Sequence, residues 1–555
     1  MQPLRLCLVH GGLLTGPLRE LGHEVLELNP APGILHIAPE LEKHGFSPDA
    51  LIQTEVLGQR TWLADLPSLD CLAVFRSLDT HINGFWQRHY ARLFDAALTT
   101  QPHLQDLFRE ADMKHVGVLA WSGFPRPCPP FSTRPVPVGF VGRVTEHRPL
   151  RANLAAFLQE RFQADIRADI PAEDMFRFYE STRIAPNDAL MREVNKRFFE
   201  TPSCGCLSVT PDLGPALDNL LEPGKEILVY NDVLELESLT DFHLRHEKQA
   251  EAMAMAAYKH IQAAHLPIHR ARELVRFLDS VSPDRPGAQA ASLAWWLTMF
   301  QLWRAQISPL DAESIASGLE RHAHAHARAA LLELRLSLGR DTQVAESLGK
   351  EAKQPRFQSS LAYNLAAASA ALRLKAFDTA KHYLRRQQPD SSSPPPRKPA
   401  ELLLAFAKIA LRHNRPANPG LPFDPARLFP ACATDCLVWA HELSPSRLDI
   451  PKLLGQVLES VPGSEHLKLA TLSHLTLHYR GDWRLTLRLA ISNLKAYRRT
   501  QGLEELHTAH TQAQNQNKLS SLHHMLANAS PTALAILKEH ESATADAPPA
   551  PTLKA

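Results

Sequence analysis

Val194–Pro211, V-N-K-R-F-F-E-T-P-S-C-G-C-L-S-V-T-P, runs a charged helical pattern through Glu200 into small residues, a Cys-Gly-Cys and an apolar stretch. A helix feeding directly into a buried strand is half of a strand–helix–strand unit. Packing of that helix on a sheet accounts for the apolar positions. It does not account for an acid beside a Gly-containing turn, where side chains are pared down as if something approaches the backbone.

The same alternation continues on both sides. Downstream, L-E-P-G-K-E (221–226) opens the strand I-L-V-Y (227–230). Upstream lie the strand V-G-F-V (138–141) with the turn Gly142-Arg143, a helix near 150–162, the strand A-D-I-R-A, a helix over 172–181 and the strand R-I-A. A first series precedes these: L-R-L-C-L-V (4–9), a Gly11-Gly12 turn, V-L-E-L, then strands at 50–53, 71–75, 96–99 and 116–119 and a helix over 83–94. Strand–helix alternation implies parallel sheets covered on both faces. Residues 122–137 hold six prolines without periodicity and read as a linker. The expectation is therefore a Rossmann-like domain over 1–121, a Pro-rich linker over 122–137 and a second Rossmann-like domain over 138–280. Ligands of such folds bind outside the carboxyl ends of the strands, here in a cleft between the two sheets.

From Ser292 the pattern is helical, beginning with S-L-A-W-W-L-T-M-F-Q-L-W-R. Turns near Gly339, Ala376 and Gly481 are separated by 37 and 105 residues, the second being three times 35. That spacing suits helix–turn–helix repeats of about 34 residues. A helical-repeat domain is expected over 289–540, interrupted by a flexible segment at 388–399 and followed by a disordered tail over 541–555. The fold class is α/β followed by all-α.

Composition excludes several functions. The 555 residues carry 60 basic and 59 acidic side chains, a net charge of +1, so nothing calls for nucleic acid. No run approaches the ~20 apolar residues of a membrane span, which leaves only peripheral membrane association. Seven Cys in so long a chain suit a reducing, cytoplasmic setting. The 28 His show no zinc-site spacing. Of His322, His324 and His326 only the first and last share a helical face, without an acid or Cys beside them.

Glu200 with its flanks resembles the donor segment of CgeB-like glycosyltransferases, a GT-B family. The match runs through N-K-R-F-F-E (195–200), Cys204-Gly205, L-S-V-T-P, E-P-G-K-E-I-L-V-Y-N-D (222–232) and H-L-P-I-H-R (265–270), with F-V-G-R (140–143) upstream. S-L-D-T-H-I-N-G-F-W-Q-R-H-Y-A-R-L-F-D (77–95) resembles the N-terminal domain often fused to it. The middle helical unit resembles a tetratricopeptide repeat. Two departures stand out. Asn187 and Asp188 replace a His often found in relatives, and Glu193 precedes Glu200 by seven residues instead of eight.

The resemblance implies a nucleotide-sugar donor as substrate, no cofactor and no catalytic metal. Glu200 would accept hydrogen bonds from the ribose hydroxyls, because an ionised carboxylate offers only acceptors. Cys204 and Gly205 would let the nucleotide come close, and Gly142, Arg143 and Lys225 would face the phosphates. Without its flanks, Glu200 would instead read as a solvated helix charge and Cys204-Gly205 as helix–strand packing. Asp79 and His81 after an apolar strand form a candidate catalytic base; the alternative makes Asp79 a helix cap and His81 a packing residue. The acceptor would be a protein or surface glycan recruited by the repeats. Rival readings are a nucleotide-sugar epimerase on the same fold and an inactive scaffold.

Overall fold

The computed structural model describes residues 2–545 apart from Leu57, Gln59, His147, 218–219 and 389–393. Part of the interruption expected at 388–399, and residues 546–555 of the expected tail, thus lie outside the described residues. In chain order the elements begin β1 (Arg5–Val9), α1 (Thr15–Glu20), β2 (Glu24–Leu28), β3 (Gly33–Leu35), α2 (Ile37–Lys43), β4 (Ala50–Thr54) and β5 (Thr61–Leu63). They continue with β6 (Leu72–Ser77), α3 (Thr80–Tyr90), β7 (Ala96–Thr99), α4 (Gln105–Arg109) and β8 (His115–Val118). A second series holds β9 (Val136–Val141), α5 (Pro149–Phe162), β10 (Asp165–Arg167), α6 (Ala172–Glu180) and β11 (Thr182–Pro186). It closes with α7 (Arg197–Ser203), β12 (Leu207–Pro211), β13 (Leu228–Tyr230), α8 (Val233–Arg245) and α9 (Glu247–Ala264). All later described elements are helical, so the α/β-then-all-α order is the one observed.

The chain divides into two compact units: Met1–Trp121 with Pro267–Val461, and Ser122–Leu266 with Pro462–Ala555. The first contains a six-stranded parallel sheet in the order β2-β1-β4-β6-β7-β8. The chain steps from β1 outward to β2 and then returns to β4 on the other side, so a topological switch point lies between β1 and β4. Alternate side chains of each strand face opposite layers. Leu6, Leu8, Ile52 and Val74 meet Leu18 of α1 and Ala271, Leu274, Val275 and Leu278 of α10 (Pro267–Ser280). The sequence reading assigned residues 267–280 to the second Rossmann-like domain. The apolar stripe of α10 instead completes the first sheet.

Cys7, Val9, Leu51 and Phe75 face the other layer, with Phe85, Trp86 and Tyr90 of α3. That same core takes in α11 (Ala288–Arg304), α12 (Ala312–Glu320) and α13 (Ala325–Ser337). The Trp-rich stretch is therefore an inner layer of the first unit, packed on α3 and covered by α12 and α13. Six helices follow in this unit: α14 (Asp341–Ala352), α15 (Leu361–Arg373), α16 (Phe377–Arg386), α17 (Pro399–Arg412), α18 (Ala433–Leu443) and α19 (Asp449–Val457).

The second unit holds a five-stranded parallel sheet in the order β10-β9-β11-β12-β13. Its large core joins Val138, Phe140, Ile184, Leu207 and Val209 to residues of α21 (Trp483–Lys495), α22 (Arg499–Asn515), α23 (Leu519–Ala529) and α24 (Pro531–Ala545). The helix α20 (Glu465–His478) precedes them. The helices expected to form one domain over 289–540 are thus divided between the two units, with α14–α19 packed around a further core of their own. α24 also extends through residues 541–545, which had been read as tail. Nor is the Pro-rich stretch 122–137 a free tether. Gly123 N–H donates to the His265 carbonyl at 2.8 Å, Phe131 is buried, and Arg134 is 2% exposed.

The helix–helix turns share one chemistry. Gly339, Lys375, Asn414, Tyr497 and Asn517 take left-handed φ values of 53–71°. In each case the next N–H closes a six-residue bond back into the helix, as from Ala376 to the Ala371 carbonyl at 2.8 Å. Such caps satisfy carbonyls that a helix end leaves orphaned.

Because both cores need helices from beyond residue 287, a chain ending at Val281 is expected to show no cooperative thermal transition by circular dichroism and to bind a hydrophobic dye. A sharp, reversible transition in that truncation would contradict the shared-core description.

Candidate functional site

The carboxyl ends of the second sheet are organised by one carboxylate between two guanidiniums. Asp188, just past β11, accepts from Arg151 Nε of α5 at 2.6 Å and from Arg197 Nη1 of α7 at 2.6 Å. All three side chains are buried. Arg197 also donates to the Val141 carbonyl at the end of β9 (Nη2, 2.6 Å) and to Asn187 Oδ1 (3.1 Å). Asn195 bonds Asn187 Oδ1 at 3.0 Å and the Asp188 carbonyl at 2.6 Å. Burial alone would raise the Asp188 carboxyl, but Arg197 and Arg151 hold it below the usual range. The Glu200 carboxylate also acts on Arg197, and Arg148 acts on Arg151, so the charges at these strand ends extend beyond the three. Arg197 is the hub of this network, and the residues replacing the relatives' His are its partners.

Gly142 closes β9 beside this cluster. A Cβ there would stand 2.7 Å from Arg197 Nη2, and its own N–H donates to the Arg167 carbonyl at 2.8 Å. Its smallness therefore admits a guanidinium, and its N–H is already used. Arg143 follows with an exposed side chain paired to Asp169 at 2.6 Å. An exposed ion pair of this kind is weak and exchangeable.

Glu200 sits on α7, which leaves the strand ends and returns toward β12. It is half-buried, and among the described residues no side chain hydrogen-bonds its carboxylate. Burial raises its pKa, against the pull of Arg197 and Lys196.

The small residues after Glu200 answer to a different neighbour than a nucleotide. Gly205 has φ 71°, and a Cβ would meet Cys128 Sγ at 2.3 Å and Arg134 Nη2 at 2.8 Å. Arg134 Nη2 donates to the Cys204 carbonyl at 2.9 Å, and the Cys204 side chain is fully buried. Cys204 and Gly205 precede β12 and so lie at the amino ends of the strands, the edge opposite Asp188. Lys225, three residues before β13, is at that same edge, exposed and paired with Glu222 at 2.5 Å. The geometry removes these three from the donor-binding group and replaces the expected close approach of a nucleotide with a buried arginine.

In the first unit, a second carboxylate lies where β4 ends. Glu55 Oε2 accepts from the N–H groups of Leu78 and Asp79 at 3.0 and 3.1 Å and from Gln87 Nε2 at 2.6 Å. Its Oε1 accepts from Asn83 Nδ2 at 2.7 Å. Glu55 thus caps α3, satisfying donors a helix start leaves open. Complete burial and the nearby Asp79 charge push its pKa up to about 7. Beneath it, the hydroxyls of Ser77, Thr80 and Thr99 form a chain with spacings of 2.5 and 2.6 Å.

Asp79 occupies the N-cap position of α3 without capping through its side chain, and His81 is buried in the first turn. One ligand atom of each lies within 4.8 Å of the other, so the structure brings this expected pair together. Trp86 and Tyr90 belong to the aromatic core around Phe75 and Phe94.

Sequence reading passed over His10, which follows β1 at the switch point with φ 58°. Its Nε2 lies 3.3 Å from Thr61 Oγ1, at a cavity of about 10 Å³ lined also by Gln53, Thr54, Glu55 and Trp62. Burial holds His10 below the usual imidazole range, so it is neutral at pH 7 and can accept a proton. The available signal was a bulky residue preceding Gly11-Gly12 at a strand end.

Residues 139–276 match a family model described as glycosyl transferase-like. No curated protein matches the chain at a significant level. Among solved structures, sucrose-phosphate synthase from Thermosynechococcus elongatus aligns with 50% of this chain and 98% of its own, at 11% identity and TM-score 0.38. A glycosyltransferase from Rickettsia africae aligns over 50% and 99%, at 12% identity and TM-score 0.37. Anabaena HepE, solved with UDP and glucose, aligns over 50% and 100%, at 12% identity and TM-score 0.36. These are distant likenesses.

Asp188→Ala is expected to cost about 3–5 kcal/mol, because it strands two buried guanidiniums. The denaturant midpoint measures this, and a shift below 1 kcal/mol would mean that Asp188 does not hold the cluster.

Proposed function

We propose that the protein is a GT-B-type, CgeB-like glycosyltransferase that moves a sugar from a nucleotide-sugar to an acceptor. The observation that carries this reading is Glu200, a half-buried carboxylate without a hydrogen-bonding side chain among the described residues, inside the segment matched by the glycosyl transferase-like model. A half-buried carboxylate without a protein donor offers only acceptors and is suited to donors from a ligand. Two adjacent ribose hydroxyls supply them.

In this reading residues 138–266 form the donor side and 1–121 the acceptor side. Arg143, released from its exposed pair with Asp169, and the N-terminus of α5 neutralise the leaving diphosphate, so no metal is needed. The acceptor oxygen bonds to the anomeric carbon as the bond to the diphosphate breaks, and its proton passes to a base. Asp79 with His81 is the candidate base supported by their mutual closeness. His10 is a second candidate, supported by its position at the switch point and its neutral ring. The tetratricopeptide-like helices would hold a protein or glycan acceptor on their outer faces, in a cytoplasmic protein. An epimerase would release an altered donor without an acceptor, and an inactive scaffold would bind donor without turnover.

A thermal-shift screen of nucleotide-sugars, followed by product analysis with the donor that binds, separates these readings. Glu200→Ala is expected to weaken donor affinity about 10- to 100-fold, since a charge-assisted hydrogen bond contributes about 1.5–3 kcal/mol. Unchanged affinity would return Glu200 to a plain helix charge.

The raised pKa of Glu200 adds a test with an opposite sign. Because its ionised form is disfavoured in the native state, it lowers stability above its native pKa, and this effect fades as pH falls into the ordinary carboxylate range. Glu200→Gln should therefore raise Tm at neutral pH while weakening donor binding. A lower Tm in the unliganded variant would show that the carboxylate has a stabilising partner.

Asp79→Asn and His81→Ala should reduce kcat more than donor affinity, as removal of a base does. If both keep near-normal kcat while His10→Ala loses it, the base is His10.

A further inference from the structure

The last three helices bring together a group of side chains that the transfer reaction does not use. His510 of α22 and His523 of α23 both direct Nε2 at one oxygen, Oε1 of Glu541 on α24, at 2.6 and 3.1 Å. One ligand atom from each residue lies within 4.8 Å of the other two. Each residue is tied to a core position of its own helix. His510 follows Ala509, His523 follows Leu522, and Glu541 lies one turn beyond Leu537, all three core residues being buried in the second unit. The backbone that carries the three ligands is thus fixed by packing, as a binding site requires. The side chains themselves are 16%, 26% and 30% exposed, which leaves an approach from solvent.

We propose that His510, His523 and Glu541 bind one divalent transition-metal ion of the Zn²⁺ type, which clasps α24 to α22 and α23. Two imidazole nitrogens and one carboxylate oxygen are a recognised donor set for this ion, with water in a fourth, open position. Metal–ligand bonds of about 2.0–2.1 Å at a tetrahedral angle put neighbouring donor atoms about 3.3 Å apart. The 3.1 Å edge already meets this. The 2.6 Å edge opens by about 0.7 Å through side-chain rotation at half-exposed residues. Hydrogen bonding alone requires both rings to donate to the same oxygen. A cation instead uses the lone pairs of both nitrogens and the charge of the carboxylate together. The hard-ion alternatives, Mg²⁺ and Ca²⁺, call for oxygen-rich sets that these residues do not offer.

The rings of His507 and His540 lie 4.9 Å apart on α22 and α24, one turn before His510 and next to Glu541 respectively. They must be distinguished from the ligands experimentally. The test uses the full-length protein stripped with a chelator, then titrated with Zn²⁺ by calorimetry and with Co²⁺ by visible spectroscopy. One tight equivalent is expected, with a tetrahedral Co²⁺ band and a rise in Tm. The double variant H510A/H523A should lose that equivalent. Glu541→Gln, which keeps size and one acceptor, should weaken it at least 10-fold, and covers the case in which the double variant misfolds. His507→Ala with His540→Ala should retain it. The proposal is overturned if the parent protein binds no tight equivalent, if Glu541→Gln binds as tightly as the parent, or if the loss follows His507 and His540 instead.

Discussion

The second unit depends on how a single carboxylate is shared. Asp188 lies between Arg151 and Arg197, and Arg197 reaches on to the Val141 carbonyl, so one network ties β9, β11, α5 and α7 at the ends where a ligand would sit. Removing charges from water is costly, and this arrangement offsets the cost with short, multiple hydrogen bonds. Its consequence is positional. Gly142 must be a glycine to admit Arg197, Asn195 is held by its bonds to Asn187 and Asp188, and α7 is anchored by its first residue, which fixes the direction in which Glu200 leaves the cluster. A second buried guanidinium, Arg134, does similar work at the opposite edge, where it reads the carbonyls of Pro129, Thr182 and Cys204. Two arginines thus explain the glycines on either side of this sheet.

The α/β half was largely legible because its signals are local. Short stretches with apolar residues, several opened or closed by Gly or Pro, mark the strands of the two large sheets, and helical patterns separate them. The short pair β3 and β5 escaped because the two strands stand outside the main sheets, as a separate two-stranded ladder with no helix-separated neighbour to announce it. The division of the later helices escaped for a different reason. An amphipathic stripe states that a helix is buried on one side and says nothing about the partner, so α11 and α21 read alike though they complete different cores.

The site was legible only in part. Glu200 and the Asp79–His81 pair stand in segments whose flanks carry information, and their placement near strand ends follows from the alternation. Cys204, Gly205 and Lys225 were misplaced because small size and positive charge are ambiguous in sequence: Gly205 makes room for a guanidinium from 71 residues upstream, and Lys225 pairs locally with Glu222. Glu55 was invisible for the opposite reason. Its four donors come from α3 and the two residues before it, more than 20 residues later, and nothing local distinguishes it from an ordinary strand-end acid. The His510–His523–Glu541 group likewise has no motif spacing, since each ligand comes from its own helix.

The interleaving of the two units has a consequence during synthesis. The first sheet is complete by Trp121, yet one of its faces waits for α10 and the other for α11–α13, and its remaining helices extend to Val461. At a translation rate of about 5–20 residues per second, the nascent chain carries that incomplete unit for roughly 20–70 s after its last strand emerges. The second sheet faces a similar delay, because α21–α24 are made long after its last strand. A polypeptide arranged this way cannot fold its domains one after another as they leave the ribosome. It must keep two half-covered apolar sheets from pairing or aggregating until the final helices arrive, which makes its yield sensitive to chaperone supply and to the speed of translation in ways that its finished stability would not reveal.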